Sequence, residues 1–178
     1  VDELLIWYEQ QKRNLPWRND INPYHVWISE IMLQQTRIEA VIPYYERFMK
    51  ELPIISSLAS VDEDFLMKLW EGLGYYNRAR NLKKAAIKIM NEYDGIFPNT
   101  YSEIIKLPGI GEYTASAISS ICFGEKQVTV DGNVMRVFTR FYNDSSNISK
   151  NNTKKKIHDK LLSILPVDVG NFNQALME

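Results

Sequence analysis

A glycine-bearing turn and the carboxylate that follows it are the residues best suited to chemistry in this chain. Residues 107–111 read Leu-Pro-Gly-Ile-Gly, and an apolar helical run to Phe123 follows them. Such a turn leaves free backbone N–H groups at a helix N-terminus, where an anion such as a phosphate is favoured. Asp131 lies twenty residues after Gly111. The unit could therefore grip a phosphate and present Asp131 nearby, although a plain turn between two helices would use the same glycines.

Glu30 is a second carboxyl group, and its neighbours are apolar. It lies in a run whose apolar residues recur at helical spacing, with Val26 and Trp27 one turn before it and Leu33 one turn after it. Removal from water disfavours the charged form of a carboxyl group. We therefore expect a raised pKa for Glu30 and a proton that stays available to a substrate.

Each of these carboxyl groups also has a purely structural interpretation. Glu30 could form a buried ion pair with Arg37 or Arg136. Asp131 comes just before the polar Asn133 and a helical run, so it could be a helix N-cap. A carboxylate close to a helix N-terminus is expected to stay ionised. Both structural roles are compatible with a role in catalysis.

Hydrophobic periodicity predicts that the chain is entirely helical. Glycine, proline and capping residues separate the runs, and no strand, internal repeat or low-complexity tract stands out. A polar loop is expected at 143–152, and Tyr75 follows a glycine break where an exposed tip is expected. The predicted helices cover residues 2–12, 23–33, 38–52, 62–70, 77–93, 100–106, 112–123, 133–142 and 153–165, with a last one from Val169.

Composition indicates an ordinary globular protein. The 178 residues carry a formal charge of −1, so an argument for DNA binding must rest on local clusters. Lysines at 83–88 and 154–160 form two such clusters, although a basic run is usually a solvated helix face. The single cysteine, Cys122, excludes an internal disulfide and fits a reducing cytoplasm. Because the chain opens on Val1 and closes within a helical pattern, we expect a fragment.

Five ordered motifs resemble those of the helix-hairpin-helix DNA glycosylase superfamily. Within it, the whole chain is most similar to the MutY-type adenine DNA glycosylases. The resemblance implies an all-α, two-lobed fold with the active site in the interlobe cleft. We expect a central lobe of residues 19–132, with residues 1–18 and 133–178 forming the second lobe. The motifs are Leu-Pro-Trp-Arg at 15–18, the run at 26–36, Trp-Glu-Gly-Leu-Gly-Tyr-Tyr at 70–76, the hairpin at 107–111, and the run at 130–137.

The resemblance also implies catalytic roles. In this superfamily the residue matching Glu30 is the general acid, and the residue matching Asp131 stabilises or briefly captures the sugar cation. Asn133, beside Asp131, joins the catalytic set. Relatives such as endonuclease III carry a lysine at the position of Tyr113, whose amine forms a Schiff base with the sugar. A phenol cannot form one, so we expect a monofunctional glycosylase in which Tyr113 hydrogen-bonds near Glu30 or Asp131.

Contacts with DNA follow from the same resemblance. An adenine inside a duplex has to be flipped out of the stack before it can be cleaved, and the gap has to be filled. The resemblance assigns Gln35, Thr36 and Tyr75 to the wedge that fills the gap and to contacts with the opposing base. The hairpin residues expected to bind DNA are Leu107, Gly109 and Gly111.

The pocket for the flipped base should be formed by the segment before the second helix and by the helix itself. The resemblance places Trp17, Arg18 and Leu33 in this pocket, with Arg13 nearby. Core packing is the alternative for a tryptophan, and we favour it for the other three tryptophans of the chain.

Cofactor and partner expectations come from the resemblance as well. Family members continue past the position of Glu178 into a four-cysteine loop that holds a 4Fe-4S cluster, and then into a Nudix-like domain that helps to recognise 8-oxoguanine. This sequence has neither, and His25 and His158 lack metal-ligand spacing, so we expect no metal or cofactor within the chain. The expected partner is double-stranded DNA with adenine opposite 8-oxoguanine or guanine. We expect a monomer in a bacterial cytoplasm, without membrane contact.

Two alternatives remain open at the level of sequence. A thymine or uracil mismatch glycosylase of the same superfamily can also carry a tyrosine at the position of Tyr113, although Gln34-Gln35 and the Asp-Gly-Asn at 131–133 favour adenine. A DNA-binding module without activity would need the Gly109 and Gly111 turn but neither Glu30 nor Asp131.

Overall fold

Eleven α-helices make up the computed structural model, which describes all 178 residues and contains no strand. The all-α prediction is therefore confirmed. A short 3-10 turn, Pro16–Arg18, joins the first two helices. The helices are α1 Asp2–Gln11, α2 Pro23–Leu33, α3 Ile38–Glu51, α4 Ile55–Ser60, α5 Glu63–Trp70, α6 Asn77–Glu92, α7 Tyr101–Ile104, α8 Glu112–Phe123, α9 Gly132–Phe141, α10 Asn151–Ser163 and α11 Val169–Met177.

Side-chain caps and a proline set where two of the helices begin. The side chain of Asn22 accepts a hydrogen bond from the Tyr24 N–H at 2.9 Å, and Pro23 occupies the first position of α2. Asp62 caps α5, because its side chain accepts hydrogen bonds from the N–H groups of Asp64 and Phe65. Helix α4 was not predicted, because six serine-rich residues give too little periodicity, and packing on α6 stabilises it.

The larger hydrophobic cluster contains 29 buried residues, and six of them lie on α2. Helix α2 packs against α3, α6 and α8. Trp27, Ile28 and Met32 are completely buried on it, and burial of each such side chain stabilises the fold by about 1.5–3 kcal/mol. Because α2 is enclosed on several sides, its position and the direction of its remaining face are fixed. Glu30 lies on that remaining face.

The smaller cluster joins α9, α10 and α11, with seven buried residues. Helix α11 also packs against α8 and α1. At the α8 contact, a Cβ on Gly170 would lie 3.1 Å from the Cα of Ile121, so glycine permits the close approach. The fully buried side chain of Asn173 donates to Ser120 Oγ at 2.9 Å and to the Gln127 carbonyl at 2.8 Å. These contacts hold α11 against α8.

The two hydrophobic clusters cross the boundaries that were predicted for the two lobes. Leu15 and Trp17 belong to the larger cluster, whereas Val128 and Val130 belong to the smaller one. The clusters therefore do not follow the expected boundaries at residues 18 and 132 residue for residue, and the division stays a prediction. None of the eleven helices combines the length and the apolar character that a membrane span requires.

Candidate active site

A cavity of about 970 Å³ opens between α2, α8, α9 and α11 and is flanked by the 3-10 turn. Ten of the fourteen predicted site residues line it, although they come from four separate parts of the sequence. The cavity therefore brings together the predicted catalytic and base-pocket residues. These ten are Arg13, Trp17, Arg18, Glu30, Leu33, Gln35, Thr36, Tyr113, Asp131 and Asn133.

Glu30 reaches the cavity from the last turn of α2. Protein atoms surround its carboxyl group, although part of the side chain remains accessible from the cavity. Burial, followed by the negative charge of Asp131, raises the pKa of Glu30 to about 7, while Arg18 opposes the shift. Glu30 forms no ion pair with Arg37 or Arg136, so the structural alternative does not apply. A carboxyl group in this state holds a proton at mildly acidic pH and can still release it.

Asp131 lies across the cavity at the start of α9. Its Oδ1 accepts a hydrogen bond from the Val134 N–H at 2.7 Å, and its Oδ2 accepts one from the Asn133 amide at 3.2 Å. The N-cap interpretation is therefore correct, and the cap orients the carboxylate. The carboxylate thus lies at the N-terminus of α9 and lines the cavity.

Tyr113 lines the same cavity from the first turn of α8. Its hydroxyl donates to Met177 Sδ at 3.0 Å. Sequence spacing could not indicate this partner, because α11 brings the thioether to this point from a distant part of the chain. Burial raises the pKa of Tyr113 well above its usual range, with Glu30 and Asp131 adding to the shift. Tyr113 is therefore a neutral phenol in the wall of the cavity.

Arg13 and Arg18 share one acceptor, the side chain of Glu178. Arg13 donates to Glu178 from its backbone N–H at 2.7 Å and from Nε at 2.8 Å, and Arg18 donates from Nη2 at 2.9 Å. Arg18 also lies over the Tyr8 ring, 5.5 Å from its centroid. Burial alone would raise the pKa of the Glu178 carboxyl, but the hydrogen bonds from both arginines lower it to about 2. Glu178 therefore holds the two predicted pocket arginines in place.

The other four predicted site residues lie away from this cavity. Tyr75 and Gly109 line a second cavity of about 500 Å³ beside the hairpin, and the side chain of Tyr75 is 65% exposed. Leu107 is only 2% exposed and packs in the larger hydrophobic cluster, so its side chain cannot contact DNA. The side chain of Leu107 therefore anchors the hairpin in the core, and a DNA contact of Leu107 stays a prediction for its backbone.

The hairpin itself has the backbone geometry of an anion site. Gly109 has a φ of +78°, and a Cβ there would lie 2.6 Å from the Cβ of Asn81, so only glycine fits. Gly111 has open space around it. The N–H groups of Gly109, Gly111 and Glu112 have no backbone acceptor. These donors at the start of α8 are available to an external acceptor.

Most of the chain matches the model of a known protein family. Residues 28–165 match the model of the HhH-GPD superfamily base excision DNA repair proteins. The chain belongs to the HhH-GPD superfamily. The match contains Glu30, Tyr113, the hairpin and Asp131, and the resemblance inferred from the motifs is confirmed.

Individual HhH-GPD relatives extend this result. Adenine DNA glycosylase of Buchnera aphidicola subsp. Baizongia pistaciae is 47% identical over 177 residues, which cover 98% of this chain and 50% of the relative. The human adenine DNA glycosylase is 42% identical over 98% of this chain and 34% of the relative. A solved thermostable thymine-DNA glycosylase superposes with a TM-score of 0.88 at 28% identity, over 99% of this chain and 82% of that structure. The chain thus spans half or less of the length of these two adenine DNA glycosylases.

Two residues that hold cavity side chains of this HhH-GPD chain in place were missed by sequence reasoning. Glu178 and Met177 were read only as the end of a helical pattern, yet they bind Arg13, Arg18 and Tyr113. Helical spacing offered a weak signal, because Asn171, Gln174 and Met177 share one face of α11 and all line the cavity.

The 4Fe-4S cluster expected for the family has no ligand set among these residues. Such a cluster is held by four thiolates, and the chain contains one cysteine. Cys122 is half-buried, and burial, with a contribution from Glu30, raises the pKa of its thiol to about 12. No group of three or more potential metal ligands lies together elsewhere.

Proposed function

We propose that this chain removes adenine from mispaired duplex DNA by hydrolysing the bond between C1′ and N9. The observation that carries the proposal is the pairing of Glu30 and Asp131 across one cavity, the first with a pKa of about 7 and the second held as a helix cap. One carboxyl group can give a proton while the other stays anionic, which is the division of roles that glycoside hydrolysis requires. The relatives named adenine DNA glycosylases support adenine as the base.

The proposed reaction uses the two groups in sequence. Protonated Glu30 donates its proton to the adenine ring while the C1′–N9 bond breaks. The electron pair of that bond leaves with the base. Asp131 stabilises the positive charge on the sugar, directly or by transient bond formation. A water molecule then adds its oxygen to C1′ and returns its proton to the Glu30 carboxylate. The products are free adenine and an abasic site, and the enzyme is regenerated.

Access to the base requires that it leaves the duplex. We propose that the flipped adenine enters the 970 Å³ cavity between Trp17, Arg18 and Leu33. Gln35, Thr36 and Tyr75 fill the gap and contact the opposing 8-oxoguanine or guanine. The free N–H groups of the hairpin bind a phosphate of the DNA backbone.

The decisive experiment measures base release under single-turnover conditions with excess protein. Duplexes that carry A·8-oxoG, A·G, T·G and U·G are compared, with binding followed in parallel. We expect release of adenine from the first two only. Release of thymine or uracil would favour the second candidate, a mismatch glycosylase, which the similarity to the thymine-DNA glycosylase supports. Binding without any base release would leave a DNA-binding module and contradict the enzyme.

Tyr113 predicts that the chain forms no Schiff base with its substrate. Borohydride reduces the Schiff base between a lysine and the sugar, and a tyrosine at this position cannot form one. We expect no borohydride-trapped protein–DNA complex after reaction with an A·8-oxoG duplex, measured by denaturing gel. Introducing the amine with Tyr113→Lys is the positive control. An adduct with the unaltered chain would contradict the prediction, and Lys12→Ala would then test the lysine that lines the cavity.

A further inference from the structure

Two loops of the chain carry the residues proposed to enter the duplex, and both have an unusual backbone. Gln35 lies between α2 and α3 with a φ of +61°, and Tyr75 lies between α5 and α6 with a φ of +49°. Residues other than glycine adopt this left-handed region at an energetic cost, so the surrounding structure must hold them there. Gln35 and Tyr75 are both exposed. Other residues must therefore hold the backbone of both loops in this conformation.

One side chain, Arg78 in the first turn of α6, is bonded to both loops at once. Its Nη1 donates to the carbonyl oxygens of Ile31 at 2.8 Å, Met32 at 3.1 Å and Gln34 at 2.7 Å. Its Nη2 donates to the carbonyl oxygens of Leu73 at 3.0 Å and Gly74 at 3.1 Å. Two of these acceptors directly precede Gln35 and Tyr75 in the chain.

The guanidinium group is also enclosed by aromatic rings. Its central carbon lies 5.3 Å from the centroid of the Trp70 ring and 5.6 Å from that of the Tyr75 ring. The carbonyls of Ile31 and Met32 belong to the last turn of α2, where backbone acceptors lack partners and a cation is favoured. A planar fork of donors can satisfy two sets of carbonyls at once, and the compact ammonium of a lysine cannot.

We propose that Arg78 is a positioning residue that couples the two loops, so that Gln35 and Tyr75 enter the duplex as one rigid wedge. The proposal rests on the proposed function for the role of the wedge, but the coupling itself is a property of the folded chain. Arg78 acts through the backbone of its neighbours. Its effect should therefore appear in duplex opening and not in bond cleavage.

The test compares the unaltered chain with Arg78→Lys and with the control Arg80→Lys. Arg80 is on the same helix but exposed, and it donates to Glu63 and Asn77. Hydrogen–deuterium exchange is measured for residues 33–37 and 72–77. We expect Arg78→Lys to accelerate exchange in both loops by ~10-fold, and Arg80→Lys to leave both unchanged. Acceleration confined to residues 72–77 would overturn the coupling.

A second readout separates positioning from general loss of structure. Single-turnover release is measured for adenine opposite guanine and for adenine opposite an abasic analogue, where no base pair has to be broken. We expect Arg78→Lys to slow the first reaction by ~10-fold or more and the second by less than ~3-fold. An equal decrease in the release rate on both substrates would show that Arg78 has a structural role only and would contradict the proposal.

Two further comparisons complete the test. Urea unfolding of each variant shows how much stability is lost, and Arg78→Gln serves as the second variant if Arg78→Lys does not fold. If the unaltered chain releases no base from either substrate, the proposed function fails, and the exchange data alone decide the coupling.

Discussion

Replacing Glu30 by glutamine is expected to slow adenine release by ~10³-fold, within the 10²–10⁴-fold that a positioned general acid contributes. The amide fits the same space but has no proton to give to the leaving base. Single-turnover kinetics on an A·8-oxoG duplex, with binding measured separately, provide the test. Because the change is isosteric, affinity for the duplex should change by less than about threefold.

The pH dependence of the unaltered chain tests the same assignment. Burial and the charge of Asp131 raise the pKa of Glu30 to about 7, so the acid form prevails below this pH. The single-turnover rate should fall as pH rises through about 7, approaching a decrease of about tenfold per pH unit. In Glu30→Gln this alkaline fall should disappear. A rate that increased with pH over this range would contradict a role as general acid.

The stability of Glu30→Gln should change in the opposite direction to its activity. The native pKa of Glu30 is raised from 4.5 to about 7, so the folded chain retains a proton that the unfolded chain releases. The stabilisation is complete below about 4.5 and is lost as pH rises to about 7. Glu30→Gln removes the cost of a buried charge, and we expect it to raise the free energy of unfolding at pH 8 by about 3 kcal/mol.

Urea unfolding at pH 5 and pH 8 measures this difference. Glu46→Gln on the exposed face of α3 is the matched control, and it should change neither stability nor base release. Glu30→Gln that was less stable than the unaltered chain at pH 8 would mean that Glu30 has a stabilising partner, as in the ion-pair interpretation.

Asp131→Asn should produce the second large loss of activity, ~10²–10³-fold in the single-turnover rate. The asparagine keeps the shape and the acceptor for the Val134 N–H, so α9 retains its cap. The negative charge that stabilises the sugar cation is lost. The free energy of unfolding should change by less than about 0.5 kcal/mol, because asparagine and aspartate are similar N-caps.

Asp62 offers a matched control for this change. It caps α5 through the N–H groups of Asp64 and Phe65, and it lies outside the cavity. Asp62→Asn makes the same chemical change at an equivalent cap, so it should leave base release within about twofold of the unaltered rate. Equal losses of activity in the two variants would show that Asp131 acts only through the helix start.

Much of the fold could be predicted from the sequence because helices are specified locally. The stripe of Trp27 and Ile28 on α2 and the proline at its start indicated a buried helix, and the structure places them so. Helix α4 shows the limit of this reasoning, because six residues hold too little periodicity. Its formation depends on packing against α6, which is distant in sequence.

For the candidate site, the sequence predicted the residues but not all of their partners. Motif residues such as Glu30, Asp131 and Trp17 could be assigned to one cavity from the family resemblance, and they line it together. The partner of the Tyr113 hydroxyl was not predicted, because Met177 is 64 residues away in the chain. A motif identifies which side chains a site contains, but it does not identify the partners that distant helices bring to them.

Local sequence specifies the chemical groups of the site and the backbone geometry that presents them. The glycines of the hairpin, the cap formed by Asp131 and the apolar surroundings of Glu30 all depend on residues within a few positions of one another. Such features are set by backbone sterics and by side chains one turn apart.

The packing of distant helices sets how these groups act on one another. The pKa of Glu30 depends on Asp131, the arginines of the pocket depend on Glu178, and the two wedge loops depend on Arg78. Each of these interactions joins residues that lie far apart in the chain. Electrostatic and hydrogen-bond energies depend on distance in space, which no local pattern in a sequence specifies.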